Sequence, residues 1–211
     1  MKIFKNYKSI SRYTKNSTLV IGNFDGVHKG HQKIIQSAKK VKSVKRNKIG
    51  VLLFDPHPKI FFKTEYQNFL LTNLDTRCKI LKNYGVDFVI ILKFSKLISE
   101  MSPDNFCSKI LKNGIQMNYI LVGKNFKFGK KRIGNYKFLE EYGKHNEFKV
   151  SPIDIFKLPK ILTKKIKMNT FSSSNIRSLI EKGDVHSASK LLSRPWYIYG
   201  KVIEGDKRGR T

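Results

Sequence analysis

The 211-residue sequence predicts an α/β fold: a mostly parallel sheet with helices on both faces. Three observations carry this. Short apolar, β-branched runs alternate with segments of helical spacing along the chain. The first such run, residues 18–21 (TLVI), passes through a glycine-bearing turn straight into a helical pattern, as in a parallel unit with a right-handed crossover. No internal repeat or low-complexity linker interrupts the alternation.

The elements follow in order. After the strand at 18–21, Gly22 and Gly26 allow tight turns, and Ile34, Ile35 and Ala38 recur at helical spacing beyond Gly30. A second strand spans 48–54 and ends in Asp55-Pro56-His57-Pro58, where the prolines stop it. In a doubly wound sheet this loop lies near the first turn if the two strands are neighbours. A helix is expected over 70–84, with Thr72 as a possible cap and Gly85 after its end. Then come a strand at 86–92, a helix from Ser102-Pro103-Asp104 to about 113, and a strand at 117–122. A helix at 135–145, a strand at 147–153 and a weaker sixth strand at 160–168 complete the alternation. Serines before Ile176 cap another helix, Gly183-Asp184 breaks it, and 185–192 forms the next. Residues 197–203 read as a strand outside the pattern.

Composition bounds the function. A hydrophobic fraction of 40% supports a sizeable core, and no apolar run approaches a membrane span. The two cysteines, Cys78 and Cys107, lie far apart in helix-like segments and imply neither a disulfide framework nor a zinc site. A cytoplasmic location and no membrane partner are therefore expected. The basic lead-in MKIFKNYKSISRYTK runs into the first strand without a cleavage pattern and reads as part of the fold. The net charge of +28 invites a nucleic-acid reading. The excess is mostly lysine spread along the whole chain, beside frequent Asn, Ile, Phe and Tyr, which AT-rich codons suffice to explain. No specific nucleic-acid partner is expected; the positive field would draw in anionic substrates.

The chemistry concentrates in GNFDGVHKGH. A helix start presents unpaired N–H groups and the positive end of the helix dipole, and both attract phosphate. His28 and His31, three apart, lie on one side of a helical turn and can donate to the same phosphate, with Gly30 keeping bulk away from the ligand. Two structural histidines, a metal pair with no evident set to complete it, or a plain glycine loop are the competing readings. A ten-position string with seven positions fixed favours the phosphate site, and no protein metal site is expected.

GNFDGVHKGH resembles the signature of the HxGH nucleotidyltransferases, and its FDGVHxGH form resembles the bacterial bifunctional riboflavin kinase/FMN adenylyltransferases (FAD synthetases). FDPHP at 54–58, GKNFKFG at 123–129 and FSSSNIR at 171–177 are similar to that family's further elements, in its order, over roughly 18–195. Phe171 replaces an aliphatic residue and Ser174 a threonine. Taken singly, each motif also reads as a proline turn, a pair of core aromatics or an ordinary capped helix.

The resemblance implies a Rossmann-like nucleotidyltransferase domain over 1–193, then the incomplete start of a riboflavin kinase β-barrel over 194–211. Kinase activity is not expected from these residues. The implied reaction is ATP + FMN → FAD + pyrophosphate, with FMN as substrate, FAD as product and Mg²⁺ on the triphosphate. His28, His31 and Arg177 would be catalytic. Gly22, Asn23, Phe24, Gly30, Ser173 and Ser174 would bind the nucleotide. His57, Phe62, Asn125, Phe126 and Phe128 would bind the flavin. The alternatives are another HxGH transferase acting on a different phosphorylated substrate, or a basic nucleic-acid binder. Oligomeric state is not legible.

Overall fold

A computed structural model describes residues 1–45, 47–63 and 69–199. In chain order its strands are β1 (Lys2–Phe4), β2 (Thr18–Ile21), β3 (Ile49–Asp55), β4 (Phe88–Lys93), β5 (Tyr119–Gly123), β6 (Lys127–Phe128), β7 (Gly134–Asn135) and β8 (Lys149–Ile153). The helices are α1 (Ser11–Thr14), α2 (Lys29–Lys45), α3 (Pro58–Phe61), α4 (Leu74–Asn83), α5 (Lys96–Ser99) and α6 (Pro103–Asn105), which runs on as a π-helix over Phe106–Ile115. They continue with α7 (Tyr136–His145), α8 (Lys160–Ile166), α9 (Ser173–Glu181) and α10 (Val185–Leu192).

Six strands form one sheet in the order β1-β4-β3-β2-β5-β8, with every pair parallel. Alternating side chains supply its two faces, as the period of two requires. Leu19, Leu52, Ile90 and Ile120 meet the π-helix and α7 residues Ile110, Leu111 and Leu139. Val20, Val51, Val89 and Leu121 meet Ile35 and Ala38 of α2 and Leu81 of α4. A third cluster joins α9 and α10 through Ile176, Leu179, Ala188 and Leu191. The chain leaves β2 toward β3 on one side and later returns to β5 on the other. The carboxyl end of β2 is therefore the switch point of a Rossmann-like sheet, where such folds bind ligands.

Three expectations need correction. Residues 160–168 hold a helix, α8, not a strand: Leu162 and Ile166, four apart, face the third cluster, and the Thr163 hydroxyl donates to the Pro159 carbonyl. The sixth strand is instead β1, whose Phe4 lies edge-on to Phe88 and whose three residues are too short to show a period. The cap of α4 is Asn73, whose side chain accepts from Thr76 N–H at 2.8 Å; Thr72 is buried at the signature turn. Residues 197–199 form no strand, and 200–203 lie outside the described residues.

Candidate nucleotide site

β2 delivers the chain to the signature turn, and Gly22 N–H still pairs with Leu52 O of β3. Three residues of positive φ lie close together, on either side of Asp25: Phe24 at φ 52°, Gly26 at 77° and Val27 at 41°. At Gly26 a side chain would strike Leu71 Cδ1 at 2.8 Å, so glycine is required both by the backbone and by the close approach.

Asp25 pins this turn. Its carboxylate, 2% exposed, accepts from the Leu71 and Thr72 N–H groups at 3.1 Å each and from Arg177 Nη1 at 2.8 Å. Arg77, itself 1% exposed, stands 3.8 Å away. Arg77 also donates to Asn23 O and Thr72 O. Burial lowers the Arg77 pKa, while Asp25 acts to raise it. Thr72 Oγ accepts from Gly26 N–H at 3.0 Å. Burying a carboxylate this deeply is tolerable because cations and N–H donors occupy it.

His28 and His31 open α2 with their rings stacked at 3.8 Å, and Phe24 backs His31 at 4.8 Å. His28 is 6% exposed, and its pKa falls to about 3, chiefly from burial and then from the charges of Arg177 and Arg194. The His31 pKa is also well below the ordinary value, from burial first and then from His28 and Arg77. Both rings are thus neutral near pH 7. The Gly30 N–H donates to His28 Nδ1 at 3.1 Å, which places the His28 proton on Nε2. His31 Nδ1 is buried with no hydrogen-bond partner. The result is a stacked pair of neutral imidazoles, not a pair of cations. Gly30 serves this pair more directly than the expected clearance for ligand: a Cβ there would sit 3.0 Å from the His28 ring.

The structure brings the second predicted helix start to the same place. Ser172 caps α9 by accepting from Asn175 N–H, and Ser173 Oγ donates to the Asp25 carbonyl at 2.9 Å. The Arg177 guanidinium lies 3.7 Å from the Phe69 ring centroid as well as on Asp25. Ser174 is exposed at the helix start. His57 follows β3 and contacts Asn23 through Nε2 and Nδ2 at 3.0 Å, as the neighbouring strands require.

The predicted flavin residues divide. Phe62, 56% exposed, stands with Phe61 and Phe94 in edge-to-face contacts. Phe126 stacks on Phe128 at 5.5 Å. Phe128 is 5% exposed and belongs to the core, so the open aromatic face of that pair is Phe126. Asn125 is exposed beside it. Phe94, Phe54, Phe106 and Phe128 connect the two groups ring to ring.

Sequence reasoning missed Asp25, Arg77 and Arg194. Asp25 had a signal, since it is one of the fixed positions of the signature string. The arginines had none, because their partners lie far away in sequence. Among the described residues, no three His, Cys, Asp or Glu side chains gather to hold a metal, and no helix is long and apolar enough to cross a membrane.

The chain matches the FAD synthetase family over residues 10–167. It is 36% identical over its full length to a bifunctional riboflavin kinase/FMN adenylyltransferase of Buchnera aphidicola from Schizaphis graminum, covering 65% of that protein. It is 32% identical to the corresponding protein of Haemophilus influenzae, over 100% of this chain and 66% of that one. For Escherichia coli K12 the identity is 29%, over 100% and 65%. The chain thus spans about 65% of the length of the curated relatives it matches. Among solved structures, one described as a macrolide-efflux protein from Streptococcus pneumoniae superposes with a TM-score of 0.82 at 29% identity, covering 99% of this chain and 64% of that one.

Proposed function

The chain belongs to the FAD synthetase family, and from that premise we propose that it transfers the adenylyl group of ATP to FMN, giving FAD and pyrophosphate. The carrying observation is the neutral His28–His31 pair at the start of α2, joined through Asp25 to the start of α9.

An oxygen of the FMN phosphate attacks the α-phosphorus of ATP in line. The bond to the β-phosphate breaks, and pyrophosphate leaves with the electron pair. The nucleophile is already ionised near neutrality, so positioning and charge stabilisation dominate over base catalysis. His28 and His31 donate from Nε2 to the α-phosphate and the departing oxygens. Backbone N–H groups around Asn23 and Phe24 line the same path, while Gly22 and Gly30 shape it with their own N–H groups held by Leu52 O and His28 Nδ1. Ser173, Ser174 and Arg177 receive the β- and γ-phosphates at the α9 start. For Arg177 this means exchanging, or sharing, its contact with Asp25.

Mg²⁺ would come with ATP, held mostly by phosphate oxygens and water, and would supply charge neutralisation on the triphosphate. Asp25 is poorly suited to hold it, since arginines and backbone donors already occupy its carboxylate. FMN presents its ring to Phe62 and Phe126, with His57 and Asn125 as polar contacts and Phe128 as support from beneath. The two buried free cysteines suit a reducing cytoplasm.

The direct experiment mixes the protein with ATP, Mg²⁺ and FMN and follows FAD and pyrophosphate by chromatography. FAD formation that depends on His31 supports the reading. Transfer to another phosphorylated acceptor, with FMN inert, overturns it.

A further inference from the structure

The chain leaving α10 returns to the signature turn. Gln32 of α2 donates through Nε2 to Val27 O at 2.9 Å and to Leu192 O at 3.0 Å. The Ser193 hydroxyl donates to Gln32 Oε1 at 3.3 Å. Arg194 donates through Nη2 to Gly26 O at 2.8 Å and through Nη1 to Leu192 O at 3.3 Å. Trp196 Nε1 donates to Leu71 O at 3.2 Å, the carbonyl of the very peptide whose Thr72 N–H holds Asp25. Gly26 therefore has both its N–H and its carbonyl held by distant side chains, Thr72 on one and Arg194 on the other. Leu71 and Leu192 wedge against its α-carbon. These anchors fall where a domain boundary at 193/194 was expected, and beyond the family match that ends at residue 167.

We propose that Arg194 is a positioning residue for adenylyl transfer: by fixing the Gly26 carbonyl it sets the turn from which His28 enters α2, so this one side chain just past α10 acts on the nucleotide site. The inference rests on the reading of His28 as a phosphate donor. The bond to Gly26 lies two residues before His28, in a turn with positive φ at Gly26 and Val27, so its loss shifts the ring rather than a surface loop. The Arg194 charge also bears on His28 and, with that of Arg177, adds to the burial that keeps the ring unprotonated. A purely fastening role would involve the same bonds without a bearing on His28, and the two can be separated.

The test compares Arg194→Gln, Arg194→Lys and Trp196→Phe in the full chain. Arg194→Gln removes the charge and the forked donor. It should lower kcat by about 10-fold to 100-fold, the scale of a small misplacement of reacting groups, with smaller changes in KM for ATP and FMN. In ¹⁵N spectra of its histidines, His28 should begin to protonate at higher pH than in the unaltered chain. Arg194→Lys keeps the charge and should restore the His28 titration while recovering only part of kcat. Trp196→Phe removes a neighbouring anchor and should lower Tm with little effect on kcat. A folded Arg194→Gln protein with unaltered kcat and unaltered His28 titration overturns the proposal, whatever its Tm. If Arg194→Gln does not fold, Arg194→Lys decides, and full activity there overturns the proposal. The histidine spectra do not require turnover, so an unaltered chain that makes no FAD defeats the functional reading separately.

Discussion

The starts of α2 and α9 meet at one place and are built in opposite ways. α2 presents two polar rings that burial has stripped of charge. α9 presents a full cation, Arg177, whose charge a buried carboxylate holds. The comparison shows two ways in which a chain of net charge +28 can present donors at its centre, one without charge and one with it. A broad positive field would draw anions from a distance, while at contact range the α2 start offers neutral rings and the α9 start a cation held on Asp25. Discharged donors suit charge that develops during reaction, and a held cation suits charge already present on the incoming ligand.

The sharpest way to break this comparison is His31→Ala. If the α2 start stabilises the transferring phosphate, kcat should fall by about 10²-fold or more with the fold retained, as on loss of an oxyanion donor. Circular dichroism and single-turnover rates check both halves; an unchanged rate in a well-folded variant removes His31 from the chemistry.

Next in size is Arg177→Ala. If the α9 start is the triphosphate half, ATP binding should weaken about 10-fold, the worth of a charged hydrogen bond, with FMN binding nearly unaltered. Equal losses for ATP and FMN in calorimetric titrations would mean that Arg177 acts mainly by holding Asp25.

Acid sharpens the contrast further. Unfolded, His28 binds its proton near 6.5; folded, it does so only near 3. Between these values the unfolded chain binds more protons, so stability is fully present above pH 6.5 and falls as the pH drops toward 3. Urea midpoints should decline across that window, and His28→Asn should flatten the decline. The same acid profile in both proteins would place its origin elsewhere.

The smallest effect belongs to the long-range field. Raising ionic strength beyond 0.1 M shortens the screening length below about 10 Å. KM for ATP should rise by about 2-fold to 5-fold, as for any steered anion, while the His31→Ala ratio in kcat stays fixed. A ratio that changes with salt would show that the two starts do not separate field from contact.

Much of this site was legible because its parts are short-range. TLVI, the glycine turn and the capped serines each announce themselves within a few residues, and the switch point follows from alternation. The placement of His57 beside Asn23 needed only the assumption that β2 and β3 are neighbours. What escaped was set by distance along the chain. Arg77 looks like one more helix cation until its guanidinium reaches Asn23 O, 54 residues away. Arg194 reads as the start of something else until it is seen on Gly26, 168 residues earlier. β1 hides in a basic lead-in because three residues at a sheet edge carry no period. Phe128 could not be told from an open ring, since its burial comes from Phe106 and Phe138 on separate helices.

The Asp25 junction also has a history in time. A ribosome releases the signature turn early, but Ser173 and Arg177 are 148 and 152 residues downstream of Asp25. At translation rates of about 5–20 residues per second, roughly 10–30 s pass before Arg177 emerges. Throughout that interval the nascent chain carries a carboxylate meant for burial without its ion partner from α9. The turn at Asp25 accordingly gains its full set of partners only once α9 has followed it, so a segment that is short in sequence is completed over a long stretch of synthesis.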